Sequence, residues 1–379
     1  MKRYEELDSL RGLAALTVLI NHLLILIPIS MWTVTLIKYP VINIFWQGHS
    51  AVLFFFILSG FVLSLPFLRG SDQTYAAYLI KRFCRIYLPY VIAITVGIIA
   101  CLTLSNGTGF PGLSVWFNKT WTSKITPELV LNHYLFIGSY NTDSFIPAIW
   151  SLIHEMRISI VFPFIMLVVL RFNWIINISI ALASSIIGYF FYYLSWHHKN
   201  LYVSVFDVFN SLEYLPMFIL GALLAKYREK ITSFLRKLSK FSRMLLLLLG
   251  MVLYTYNSFL SEIKLLHFAY MDDWAISFGA CLFIALSLSS NNLSRFLLTS
   301  PIRFLGKTSY SMYLWHEVIL FSLIHVFYGK IPLWVISLST IGSSLLVSGV
   351  MYKIFEEPTI KLGRFLTRNN NKEFSRKTA

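Results

Sequence analysis

The chain has 379 residues, of which 57% are hydrophobic and 13% charged, with a mean hydropathy of +0.67. A soluble domain uses about 25% charged residues to coat itself, so this composition excludes an ordinary globule in water and fits a chain whose solvent is mostly lipid. The formal net charge of +15 would suggest nucleic acid in a soluble protein, but these cations fall between long apolar runs and read as orientation signals, so no nucleic-acid partner is expected.

Ten apolar stretches are long enough to cross a bilayer at about 20 residues per crossing. They run from Gly12 to Ser30, Ala51 to Leu68, Ile86 to Leu104, Ile149 to Leu170, Trp174 to Leu194, Phe206 to Ala225, Met244 to Leu260, Trp274 to Ser290, Ser309 to Tyr328 and Leu333 to Phe355. The sixth is interrupted by Asn210, Glu213 and Pro216. With the N-terminus inside, 25 of the 32 Lys and Arg residues fall in inside segments and six in outside ones, Arg157 lying within a span. The expected fold is therefore an all-α polytopic membrane protein of about ten transmembrane helices, N-in and C-in.

Lys2 and Arg3 ahead of the first run resemble a signal peptide, but no small-residue cleavage site follows and the run is long, so a retained anchor is expected. The loop from Ser105 to Ala148 is expected outside, with Trp116 and Trp121 at the interface or in an acceptor groove. Residues 364–379 read as a polar cytoplasmic tail. Cys84, Cys101 and Cys281 are odd in number and lack metal spacing, so they are expected to be packing residues, with no metal site.

An ionisable group inside a bilayer is costly and is a functional candidate by default. Arg11 and His22 are 11 residues apart, about 1100° around a helix, so they share a face roughly 16 Å apart along the axis. A guanidinium grips phosphate with a forked set of donors, and an imidazole suits proton transfer near neutral pH. The pair fits a long, phosphate-headed donor whose thioester reaches His22, which takes the proton of an attacking hydroxyl. The bland alternative makes Arg11 a topology signal and has His22 satisfied by a neighbouring helix.

Glu155, at the outer end of the fourth span, is placed to orient a histidine or bind sugar hydroxyls, or else to pair with Arg157, His154 or another span. Arg82 and Arg85 share a helix face at the cytoplasmic start of the third span, either as a phosphate clamp or as ordinary positive-inside charge. Ser59-Gly60 lies midway through the second span and His316 several residues into the ninth. By depth, His22, Ser59, Glu155 and His316 are expected to meet in one central cavity.

These residues carry a family resemblance. The run Leu7-Asp8-Ser9-Leu10-Arg11-Gly12-Leu13-Ala14-Ala15 leading to His22, then Phe54-Phe55-Phe56-Ile57-Leu58-Ser59-Gly60-Phe61 and Lys81-Arg82-Phe83-Cys84-Arg85-Ile86-Tyr87-Leu88-Pro89, resembles the acyltransferase-3 family of membrane acyltransferases. Ile149-Trp150-Ser151-Leu152 with Glu155, Pro216 to Gly221, Leu305 to Tyr310 with Leu314-Trp315-His316, and Glu356-Glu357-Pro358 continue the match in family order. Each is weak alone; the ordered set is specific.

The resemblance implies a ten-helix domain over residues 1–363 in a bacterial inner membrane. Its donor would be an acyl-CoA, usually acetyl-CoA, acting as co-substrate with no cofactor bound permanently. The acceptor would be a carbohydrate hydroxyl, on O-antigen or exopolysaccharide, either free or lipid-linked. The resemblance makes His22 and Arg11 the essential pair, assisted by Glu155, and gives the donor to Arg82 and Arg85 with Arg11. Asp8, Ser59, Tyr310, His316 and Glu356 become candidate supports. Some relatives append an SGNH hydrolase-like domain, and none is expected here. Two other classes compete. A glycan or small-solute transporter would show two related halves with broken helices, and no such duplication is evident. A glycosyltransferase would need an acidic cluster, for which only Asp143, Asp272 and Asp273 offer themselves.

Overall fold

The computed structural model describes residues 4–28, 40–70, 73–138, 140–197, 203–258, 267 and 269–368. Within them the chain is helical throughout, and the one β-feature is a single bridge between Tyr328 and Ile331. The long helices are α1 (Glu5–Leu24), α2 (Gly48–Leu68), α3 (Tyr75–Leu104), α4 (Ile149–Arg171), α5 (Trp174–His197), α6 (Val203–Lys237), α7 (Lys240–Tyr254), α8 (Ala269–Ser289), α9 (Ser300–Phe327), α10 (Leu333–Met351) and α11 (Glu357–Leu366).

Local chemistry sets the ends. Glu5, Glu6 and Asp8 occupy the first turn of α1, where carboxylates complement the helix dipole. The hydroxyls of Thr74 and Ser239 accept the backbone N–H groups that open α3 and α7. A π-helical turn, Tyr352–Glu356, joins α10 to α11, so the expected tenth span runs on as one rod to Leu366. The polar tail expected from residue 364 thus begins inside a helix.

Seven helical segments are long and apolar enough to cross a membrane: α1 to α4, Trp174–Leu194 of α5, Met271–Ser289 of α8 and the joined rod Leu333–Leu366. Three expected spans fall outside that set for separate reasons. α7 has 15 residues, short of the roughly 20 that a crossing needs. α6 is described at side-chain level only from Phe209 on, which leaves out the start of the expected span, and Glu213 and Pro216 fall in the remainder. α9 holds His316, Glu317 and His325 within its 28 residues. It packs against α1, α3 and α10, so its environment is protein and it need not be apolar. Ser30 and Leu260, which end the first and seventh expected spans, lie outside the described residues, as do Lys2, Arg3, Lys38, Lys199, Lys264 and residues 369–379.

Two close helix crossings position the site. A Cβ on Gly12 would strike the backbone of Leu305 and Gly306, and one on Gly306 would strike Asp8 and Ser9, so α1 and α9 touch main chain to main chain. Gly60 meets the backbone of Phe218, and Gly221 that of Ile57, which seats α2 against α6. Outward-facing Leu102, Leu167, Ile186, Leu338 and Leu346 are exposed, as lipid contact requires.

Candidate active site

α1 is unbroken from Glu5 to Leu24, so Arg11 and His22 lie on one rod as their spacing demands. The close crossing of α1 with α9 brings His22 to His316. Nδ1 of His22 lies 2.8 Å from Nε2 of His316. The rings are coplanar to within 4°, an edge-to-edge pair rather than a stack. Nδ1 of His316 faces the carbonyls of Met312 (3.1 Å) and Tyr313 (2.8 Å). Carbonyls only accept, so that nitrogen carries the proton and Nε2 of His316 is the acceptor. His22 must then hold its proton on Nδ1, and its Nε2, which has no partner among the described residues, keeps a free lone pair.

Glu317 completes the group. Its Oε1 lies 3.2 Å from Nδ1 of His22, near enough for charge attraction but buried without a hydrogen bond, while Oε2 accepts the backbone N–H of Ala148 at 2.7 Å. The side chain is fully buried. Sequence reasoning missed Glu317, although a His-Glu pair inside a span, one step beyond His316, was the signal available. Trp116, on a short helix (Val115–Asn118) of the outer loop, lies over the His22 ring at 5.0 Å and 18°. Trp121 instead is buried in the loop core, its indole N–H donating to Phe145 O. Of the two expected tryptophans, only Trp116 reaches the site.

Toward the basic end lies a second group. Glu155 accepts Nη2 of Arg82 at 2.9 Å and the Ser59 hydroxyl at 2.8 Å, both on Oε1, and Arg82 also donates to Ser159 Oγ at 2.6 Å. Arg82 is 8% exposed, so its charge is spent mostly on Glu155. Arg85, three residues on, is exposed. Arg11, Arg82, Asp8 and Glu356 lie within electrostatic range of it. Arg11 pairs with Asp8 at 3.4 Å. Glu356, at the π-helical turn, accepts the Ser311 hydroxyl at 2.6 Å and its N–H at 3.2 Å, clasping α10 to α9. Tyr310 donates to Ile86 O at 2.6 Å and ties α9 to α3.

His22, Ser59, Glu155 and His316 therefore form two pairs instead of one hydrogen-bonded group. Glu155 binds Arg82 and Ser59 rather than orienting a histidine, because Arg82 on α3 faces it across the bundle. Among the described residues, His22, His316 and Glu317 are also the one trio whose donor atoms all lie close together, within 4.8 Å. That set could hold a divalent cation such as zinc, but only by displacing the proton that Nδ1 of His22 donates to Nε2 of His316.

The profile of an acyltransferase domain, that of the acyltransferase-3 family, matches residues 4–353. The chain belongs to this family. It is 21% identical over 385 residues to the peptidoglycan O-acetyltransferase OatA of Listeria monocytogenes, an alignment covering 96% of this chain and 56% of that protein. It is 33% identical over 92 residues to the O-acetyltransferase OatA of Staphylococcus aureus strain NCTC 8325, covering 24% of this chain and 15% of that one. The chain thus spans about half the length of the longer-matching relative. No solved structure matches it.

Proposed function

We propose that the protein is a membrane O-acyltransferase that moves an acyl group, acetyl in the simplest case, from cytoplasmic acyl-CoA to a hydroxyl of a surface or lipid-linked carbohydrate. The observation that carries this reading is His22, whose Nδ1–H is held by His316 with the Glu317 carboxylate beside it and whose Nε2 is left open. A base held in one tautomer beside a carboxylate is the arrangement that acyl transfer needs.

The acceptor hydroxyl attacks the thioester carbonyl carbon while its proton passes to Nε2 of His22. Glu317 stabilises the imidazolium through Nδ1, as a carboxylate does in other acyl-transfer sites. Collapse of the tetrahedral adduct breaks the C–S bond, and the imidazolium returns the proton to the departing thiolate. Arg85 and Arg11, at the basic end that the positive-inside rule places in the cytoplasm, take the donor's phosphates. Arg82 supports the donor site less directly, through its hold on Glu155. The acceptor arrives from the opposite side, where Trp116 offers an aromatic face.

O-antigen and exopolysaccharide are one acceptor class, and the name of the Listeria relative adds peptidoglycan. Mass spectrometry of cell-envelope glycans, with and without the gene, separates them by which polymer gains one acetyl mass per acceptor residue. Complementation with His22→Ala at normal membrane abundance should restore none of it; restored acetylation would remove the proposal.

A further inference from the structure

At the basic end of the bundle, apart from both groups above, a cavity of about 880 Å³ opens where the α6–α7 corner faces the end of α8. Arg236, Lys240 and Arg243 line it, and none of its lining residues is acidic. No ion pair is formed by any of the three cations among the described residues. Nε of Arg243 is buried without a partner.

The positions of these charges run against local preference. Lys240 opens α7 and Arg243 follows one turn later, at the helix end where the backbone N–H groups already carry positive partial charge and cations are disfavoured. No acidic residue occupies that first turn to offset them. An anion in the cavity would meet three side-chain cations and the α7 N-terminus together. The positive-inside rule accounts for basic residues on this face, but it does not require them to converge on one cavity.

The rest of the lining says what kind of anion fits. Met244, Leu247 and Phe296 make an apolar wall. On α7 it continues into Leu245, Leu248 and Leu249, which are exposed where lipid would lie. A soluble anion would leave that wall unused. We propose that this cavity binds an anionic phospholipid of the adjoining leaflet, its phosphate against Arg236, Lys240 and Arg243 and one acyl chain along Met244, Leu247 and Phe296. Basic pockets between helices at this level of a membrane recognise lipid headgroups on the same terms.

The test is titration of the purified full chain, in a neutral detergent, with dioctanoyl phosphatidylglycerol or dioctanoyl phosphatidylcholine, followed by native mass spectrometry. The anionic lipid should bind selectively. The triple variant Arg236→Gln, Lys240→Gln, Arg243→Gln should weaken that binding on the order of a hundredfold, and Arg243→Gln alone roughly fivefold. A control neutralising the exposed Lys230, Lys307 and Lys353, which lie outside the cavity, should bind as the wild type does. Equal binding of the two lipids, or undiminished binding by the triple variant, would overturn the proposal. So would displacement of the lipid by millimolar inorganic phosphate, which would assign the cavity to a soluble anion.

Discussion

The histidine group, on α1 and α9, and the arginine group, on α2, α3 and α4, solve different problems. His22 and His316 form an oriented hydrogen-bonded pair, with the Glu317 carboxylate beside it, that ends on an open nitrogen, Nε2 of His22. Arg82, Glu155, Ser59 and Ser159 close their charges on one another, with Nε of Arg82 buried unpaired, and Arg85 is exposed beside them. An open end can do proton chemistry, whereas a closed network can hold geometry and present a charge. The distinction predicts that substitutions in the first group damage turnover and those in the second damage folding or donor affinity.

The largest effect belongs to the open nitrogen. His22→Ala should lower kcat by about 10²–10⁴ with normal membrane abundance, the range lost with a general base. Glu317→Gln should also act on kcat, by about 10²-fold, while leaving KM for acyl-CoA near the wild-type value. Steady-state acetyl transfer in washed membranes reads both. If Glu317→Gln instead raised KM alone, the carboxylate would belong with the donor site.

The closed network should break differently. Arg82→Ala leaves the Glu155 carboxylate in a mostly buried site without its cation, which costs about 3–5 kcal/mol. Glu155→Gln in the same chain should recover much of that loss, because no uncompensated charge then remains. Thermal unfolding of the single and double variants in detergent supplies the cycle. Strict additivity of the two losses would show that the pair is not coupled. Arg85→Ala, by contrast, should leave stability nearly unchanged and raise KM for acyl-CoA roughly tenfold, the value of one charge-assisted contact to phosphate.

Which of this was legible in the sequence follows from the range of the interactions. The α1 stripe needs only helical periodicity, so Arg11 and His22 could be placed together from their spacing. Gly60 could be read as a close-approach site, because a small residue inside a span has few other uses. The pairing of Glu155 with Arg82 could not be read, since it joins residues 73 positions apart on α4 and α3. Nor could the tautomer of His22, which is fixed by carbonyls on α9 that composition does not register. Apolarity alone is a poor guide at α9, which the sequence offers as the ninth span and which carries His316, Glu317 and His325. Hydropathy measures fitness for lipid, and α9 is solvated by other helices.

The two loop tryptophans extend the comparison outward. Trp116 is half-buried over His22, while Trp121 is a buried loop anchor held with φ of 60°, an uncommon conformation for a bulky residue. Trp116→Ala should raise KM for the carbohydrate acceptor about five- to tenfold through the lost ring contact, with unfolding unchanged. Trp121→Ala should lower stability before it alters either KM. An acceptor KM untouched by Trp116→Ala would exclude the ring from that path.

The smallest effect concerns pH and the same loop. His133 is fully buried on the outer helix Pro127–Leu135, its Nδ1 bonded to Leu129 O at 2.8 Å and its Nε2 without a partner. Burial lowers its pKa below the usual 6.5. Below pH 6.5 the unfolded chain therefore binds a proton that the folded loop refuses, so stability rises with pH and is lost as the medium is acidified through that window. The slope is at most about 1.4 kcal/mol per pH unit. His133→Gln should flatten the acid limb of the melting-temperature profile measured in detergent, and an unchanged limb would clear His133 of the role. Ala148, at the end of this loop, holds Glu317, so acid loosening should lower activity and melting temperature together. Activity lost in acid without a change in melting would instead place the titration among His22, His316 and Glu317 themselves.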